Sequence, residues 1–239
     1  MVQSTDIFEY INRDEDLRKL FFSLPDSEIR KITVKRYRKG DLMIAHSSYP
    51  KEMFVMLDGI CAIVKRSQVS EKPIILNRMG YLDVVGLYEI VWDINRVGDV
   101  EARTDCVAAV ISRRDMDEWI DRYPRMTLRL SDRISHRYFN HIDYLNYYIK
   151  YSAECAVISF FAELYQLSTK KQPEAGQTVR IFETRQEISE EIGRDIRSVN
   201  RTIGKLKEEG LITIKNGKIY ISDDQMKGLI RLRDSLLDH

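Results

Sequence analysis

Apolar and polar positions change their rhythm several times along the chain. Over residues 6–32 they mark short helices broken at Pro25, with Phe8, Ile11, Leu17, Leu20 and Phe21 apolar and Asp26 placed to cap residues 28–32. From Thr33 the period becomes two. Val34, Arg36 and Arg38 alternate with Lys35, Tyr37 and Lys39, and a turn at Gly40-Asp41 precedes residues 42–45. Further strands are expected at 53–57, 60–65, 74–77, 84–85 and 107–112, punctuated by Asp58-Gly59, Gly80 and Gly86. Many short strands separated by turn residues predict a closed antiparallel roll or barrel.

After Arg113 the pattern is helical again, and Pro124 opens a long amphipathic stretch over 125–151. Leu130, Ile134, Tyr138, His141, Leu145 and Tyr148 recur at spacings of four and three, the seam of a helix packed lengthwise against another. A helix of about 25 residues is about 37 Å long, more than one small domain needs. It reads as a dimerisation helix, with a plain covering helix as the alternative. Residues 153–168 give another amphipathic helix with Val157, Ile158, Phe161, Leu164 and Leu167 on its apolar side, and 170–177, KKQPEAGQ, read as a loop.

The stretch 184–207, TRQEISEEIGRDIRSVNRTIGKLK, carries the chemistry. Thr184 can cap a helix bearing Ile188 and Ile192, Gly193 makes the turn, and a second helix begins near Asp195. Val199, Ile203 and Leu206 face a core, which leaves Arg197, Ser198, Asn200, Arg201 and Lys205 toward solvent. Two short helices, the second with an exposed arginine face, predict a helix-turn-helix that reads DNA. Two strands at 211–215 and 218–222 around Asn216-Gly217 predict a wing, with Lys215 and Lys218 toward phosphates. A last helix is expected at 225–237.

A chain of 239 residues suggests two domains, and a net charge of +1 excludes a uniformly basic coat while allowing one local basic face. The first residues lack a secretory leader, no apolar run reaches the roughly 20 residues of a membrane span, and three dispersed cysteines suit a reducing compartment; a cytoplasmic protein is expected. Asp83, Glu89, Asp93, Asp99 and Glu101 come with no nucleophile–base spacing, HExxH, P-loop or GxGxxG, so they read as solvated carboxylates and the chain as no enzyme.

A roll containing KGDLMI at 39–44 and MFVMLDG at 53–59, a long helix, TRQEI at 184–188 and a winged helix together resemble the CRP/FNR family of bacterial transcription regulators. The resemblance covers nearly the whole chain and implies an α+β architecture. That architecture is an antiparallel, jelly-roll-like sensor over 1–124, a dimerisation helix over 125–151 and a winged helix-turn-helix over 152–239. It implies a homodimer on a palindromic DNA site, a small-molecule effector in the roll, and RNA polymerase as a further partner. Relatives that bind cyclic AMP carry Gly-Glu and Arg-Ser pairs in the roll and Thr-Ser on the long helix. Here those places hold Gly86-Leu87, Arg96-Val97 and His141-Ile142. Each missing polar partner costs about 1–3 kcal/mol, so cyclic AMP is not the expected effector and its replacement is unidentified. Arg96 stands either as a binder of another anion or as a solvated arginine. His141 is either a packed side chain or an axial ligand for haem, and three scattered cysteines do not suit an iron–sulfur sensor.

In family members that recognise TGTGA or TTGAT half-sites, the recognition helix reads Glu-x-x-x-Arg. Arg201 matches the arginine, which suits bidentate contact to guanine, while Arg197 replaces the glutamate and predicts a changed half-site. Ile196 and Asn200 complete that face, and Ser198, Arg185 and Gln186 are expected on phosphates. An effector signal is expected to pass through a hinge at 150–152. A regulator that needs no effector, its roll a scaffold, is the alternative.

Overall fold

A computed structural model describes residues 6–66, 74–169 and 178–237, and among these the stretch from Thr33 to Ser112 forms eight strands in two antiparallel sheets. In chain order, α1 (Ile7–Arg13), α2 (Glu15–Phe21) and α3 (Asp26–Ile29) lead into β1 (Thr33–Tyr37), β2 (Leu42–Ile44), β3 (Glu52–Asp58), β4 (Cys61–Lys65), β5 (Ile74–Met79) and β6 (Val84–Val85). Then come α4 (Leu87–Trp92), β7 (Asp99–Ala102), β8 (Cys106–Ser112), α5 (Arg113–Arg122) and α6 (Pro124–Lys150). The rest is α7 (Ala153–Ser168), β9 (Thr178–Ile181), α8 (Arg185–Glu191), α9 (Ile196–Glu208), β10 (Thr213–Lys215), β11 (Lys218–Ser222) and α10 (Asp223–Leu237). The loop expected at 170–177 lies outside the described residues. The chain divides into two units, Met1–Tyr138 and Phe139–His239, and the division falls inside α6.

In the first unit the sheets run β1-β8-β3-β6 and β2-β7-β4-β5. Phe54, Met56, Cys61, Met79, Val100 and Val110 fill one core with residues from both sheets. The opposite face of the first sheet, with Met53, Val55, Ala109 and Ile111, packs on Leu17, Phe21, Trp119, Met126 and Leu130 of the surrounding helices. Strand β3 is therefore buried on both faces, which is why MFVML is a continuous apolar run and not an alternation. The roll closes by two sheets facing each other, not by one unbroken ladder. Helix α4 and strand β7 had no counterpart in the periodicity.

Helix α6 begins on Pro124, whose fixed φ suits the first helical position. The seam expected on it mixes two faces. Met126 and Leu130 are fully buried and Tyr144 and Tyr148 nearly so, whereas Tyr138 is 61% and Leu145 40% exposed. At about 100° per residue, Tyr138, Ile142, Leu145 and Ile149 form a second apolar stripe roughly a third of a turn from the buried one, and Ile149 is 74% exposed.

In the second unit α7 is buried nearly all round, Ser159 and Glu163 included, so it is a central helix and not the half-exposed one expected. Its Phe160 and Phe161 pack with Tyr148, Ile188, Val199, Ile203 and Leu206 in one core. A three-stranded sheet, β10-β11-β9, completes the unit. Asn216 and Gly217 both take positive φ, 49° and 72°, as a tight hairpin turn requires. Among the described residues no helix is long and apolar enough to cross a membrane.

Candidate nucleic-acid interface and effector pocket

Local chemistry fixes the two helices of 184–207. Thr184 and Glu187 form a reciprocal capping box, the Glu187 N–H donating to Thr184 Oγ1 at 3.2 Å and the Thr184 N–H to Glu187 Oε2 at 2.7 Å. Asp195 caps α9 by accepting from the Ser198 N–H at 2.9 Å, and its bonds to Ser198 hold its carboxyl below the usual range. Val199, Thr202, Ile203 and Leu206 are buried, which turns Arg197, Asn200 and Arg201 outward. Ile196 and Ser198 are half-buried at the start of the same helix.

Several of the expected contact residues are held by neighbours. Arg185 Nη1 donates to Asn200 Oδ1 at 3.1 Å, which ties the two helices and leaves the Asn200 amide NH2 as donor. Gln186 donates to Glu190 Oε1 at 2.7 Å. Lys205 is pinned to Glu154 of α7 at 2.7 Å, so it closes the underside of α9. Lys215 and Lys218 stand exposed at the tip of the β10–β11 hairpin.

Arg194, which the sequence reading passed over, donates from Nη2 to the carbonyls of Tyr148 at 2.8 Å and Tyr151 at 2.6 Å. It satisfies backbone acceptors that the end of α6 leaves orphaned. The hinge expected at 150–152 is thus spanned by a side chain, and residues on both sides of it share one core. Tyr144 donates to Gln166 Oε1 at 2.8 Å and Tyr148 to Glu163 Oε2 at 3.0 Å, which also binds the last turns of α6 into this unit. His141 lies in the same unit, half-buried, with Nδ1 3.9 Å from Glu163 Oε1.

The roll places its expected effector residues in three different settings. Leu87 is buried in the helix-facing core, and Val97 is 39% exposed. Arg96 is 3% exposed, so it is not a solvated arginine. Its Nη1 donates to the Gly86 carbonyl at 3.1 Å and its Nη2 to the Glu52 carbonyl, and Nη1 lies 3.5 Å from Glu89 Oε2. Gly86 has φ 92°, and a Cβ there would overlap the guanidinium, so glycine is needed on both counts.

Two of the carboxylates expected at solvated faces are drawn inward instead, Glu89 buried and Asp83 half-buried. Glu89 is 6% exposed, and burial raises its carboxyl above the ordinary value while its own backbone N–H, the Arg96 charge and the Tyr88 hydroxyl pull it down. Asp83 accepts from the Gly80 N–H at 2.7 Å, with Arg137 Nε 3.7 Å away. Arg137 of α6, 6% exposed, also donates to Asn77 Oδ1 at 2.9 Å. Asp99 and Glu101 pair with Arg66, and Asp93 with Arg113. The three cysteines are free and buried.

Comparison with known proteins matches residues 34–123 to the cyclic nucleotide-binding domain and residues 157–232 to the Crp-like helix-turn-helix domain. The cAMP-activated global transcriptional regulator CRP of Salmonella typhimurium is 23% identical over 197 residues, 79% of this chain and 89% of that protein. Among solved structures, FixK2 from Bradyrhizobium japonicum superposes with a TM-score of 0.68 at 15% identity, covering 84% of this chain and 96% of that one. The c-di-GMP responsive global regulator CLP of Xanthomonas campestris gives 0.62 at 16%, over 82% and 99%. With both domains in this order on one chain, the protein belongs to the CRP/FNR family of transcription regulators, with a cyclic-nucleotide-binding-like sensing domain joined to a DNA-binding helix-turn-helix.

Proposed function

We propose that the protein acts in the cytoplasm as a homodimer that reads a palindromic operator through α9, with Arg201 and Arg197 as the base readers. The observation that carries this is the outward face of α9, where Arg197, Asn200 and Arg201 stand together on a helix capped at its start and buried on its other side. An arginine fork pairs with guanine O6 and N7, and each such pair discriminates by about 1–3 kcal/mol. Arginine has no acceptor, so Arg197 cannot take the cytosine N4 donor that a glutamate takes in that place. The half-site is therefore different from TGTGA and richer in guanine. Arg185, Gln186, Ser198 and Lys218 contact phosphates once their local partners are exchanged, and Asn200 offers donors to the groove.

A second copy of the chain covers the exposed stripe of Tyr138, Leu145 and Ile149 on α6, and the two recognition helices enter major grooves about 34 Å apart. The domain limits of this reading are the roll to residue 124, the dimer helix over 125–151 and the winged helix from 152. RNA polymerase is the further partner that such regulation entails. Selection of bound sequences from a random pool tests the reading. A guanine-enriched palindrome is expected, whereas recovery of TGTGA half-sites would show that Arg197 reads no base.

The cAMP-activated relatives and the c-di-GMP responsive one suggest that the roll takes a ligand. Leu87 buried in a core and Val97 turned to solvent make cyclic AMP a poor fit for it. One observation favours an effector-independent regulator instead, namely that Arg96 is already paired within the chain. DNA affinity measured with and without candidate ligands separates the two.

A further inference from the structure

Arg96 and Glu89 are both buried in the roll, at 3% and 6% exposure, and they stand 3.5 Å apart. The guanidinium also donates to two carbonyls, from Gly86 on the turn before α4 and from Glu52 at the start of β3. The neighbouring Tyr88 hydroxyl favours the charged form of Glu89. Yet Arg96 Nε and Glu89 Oε2 find no hydrogen-bond partner, so the pair is close but incompletely satisfied. Carbonyl oxygens supply only partial charge; of the two carboxylates that act on the buried cation, Glu89 and Glu52, Glu89 acts the more strongly and lies within ion-pair distance.

We propose that Glu89 is a built-in counter-ion that occupies the anion position on Arg96 and so closes this roll to cyclic phosphates and other anionic ligands. A phosphate approaching Arg96 meets a carboxylate already seated there, and two like charges in one buried place repel strongly. The ligand class that remains open to the roll is neutral, or there is none. The inference rests on the roll being a cyclic-nucleotide-binding-like domain and is independent of how α9 reads its operator. A failure here leaves the DNA selection result untouched, and the reverse also holds.

The test uses the full chain with Glu89→Gln, which keeps shape and removes the charge. Both tryptophans, Trp92 and Trp119, belong to the first unit, so their fluorescence follows its unfolding. The variant should melt about 5 °C or more below the wild type, since removing one partner leaves the other charge buried alone. Inorganic phosphate at matched ionic strength should return most of that loss in the variant and leave the wild type unmoved. Adding Arg96→Met to Glu89→Gln should restore melting without phosphate. A Glu89→Gln protein as stable as the wild type, or one that phosphate does not restore, overturns the proposal, as does phosphate acting equally on both. If the single variant does not fold, the double variant decides: a folded double variant supports the counter-ion role, and an unfolded one refutes it.

Discussion

Replacing Asp83 by asparagine should remove a pH dependence from the first unit. The carboxyl is only 14% exposed, and burial pushes its pKa from the usual 3.8 up to about 6, against the lowering pull of Arg137, the Gly80 N–H, Arg133 and His136. Because the folded value lies above the unfolded one, the folded chain holds this proton the more tightly. Its stabilisation is complete below about pH 4 and is lost as pH rises through about 6. A gap of roughly two pH units at about 1.36 kcal/mol each amounts to about 3 kcal/mol. Urea unfolding followed by the fluorescence of Trp92 and Trp119 measures it. Between about pH 3 and pH 7 the stability of Asp83→Asn should gain about 3 kcal/mol relative to the wild type, most of it before pH 6. Parallel stability profiles for the two proteins would refute the claim that this carboxylate is ionised at a cost.

Glutamate at both Leu145 and Ile149 places charge on the exposed stripe of α6 without entering either core. Sedimentation should then show a monomer and operator affinity should fall at least tenfold; a dimer of unchanged strength removes α6 as the interface. Asp195→Ala deletes the cap of α9 and should cost the second unit about 1 kcal/mol, read as lost helical signal in thermal unfolding and as weaker operator binding, with α8 unaffected. Arg201→Ala should lower discrimination at one base position by about 1–3 kcal/mol while leaving nonspecific binding nearly unchanged; uniform weakening on all sequences would make Arg201 a phosphate contact instead.

The helix-turn-helix was legible because its determinants are local. Thr184 with Glu187, Asp195 with Ser198, and the Val199, Ile203, Leu206 spacing act within a few residues of one another. The roll was legible as alternation and turns, but the company each side chain keeps was not. Arg96 meets the Glu52 carbonyl, which lies 44 residues away along the chain. That encounter depends on how β3 and the segment after α4 are brought together, and no period records it. Helix α4 is six residues long and β7 four, both too short for a rhythm to establish itself. On α6 the spacing was right but served two faces at once, so only burial separates Leu130 from Leu145. No period marks Glu163 as an inside residue, and Tyr148 supplies the donor that lets it lie there.

The grip of Arg194 on the Tyr148 and Tyr151 carbonyls makes the end of α6 and the start of α9 a single stiff corner. A corner of that kind transmits angle. Leu145 and Ile149, the exposed apolar positions of the last turns of α6, are carried with the start of α9 as one piece. The angle between α9 and the last turns of α6 is in that sense held by one side chain.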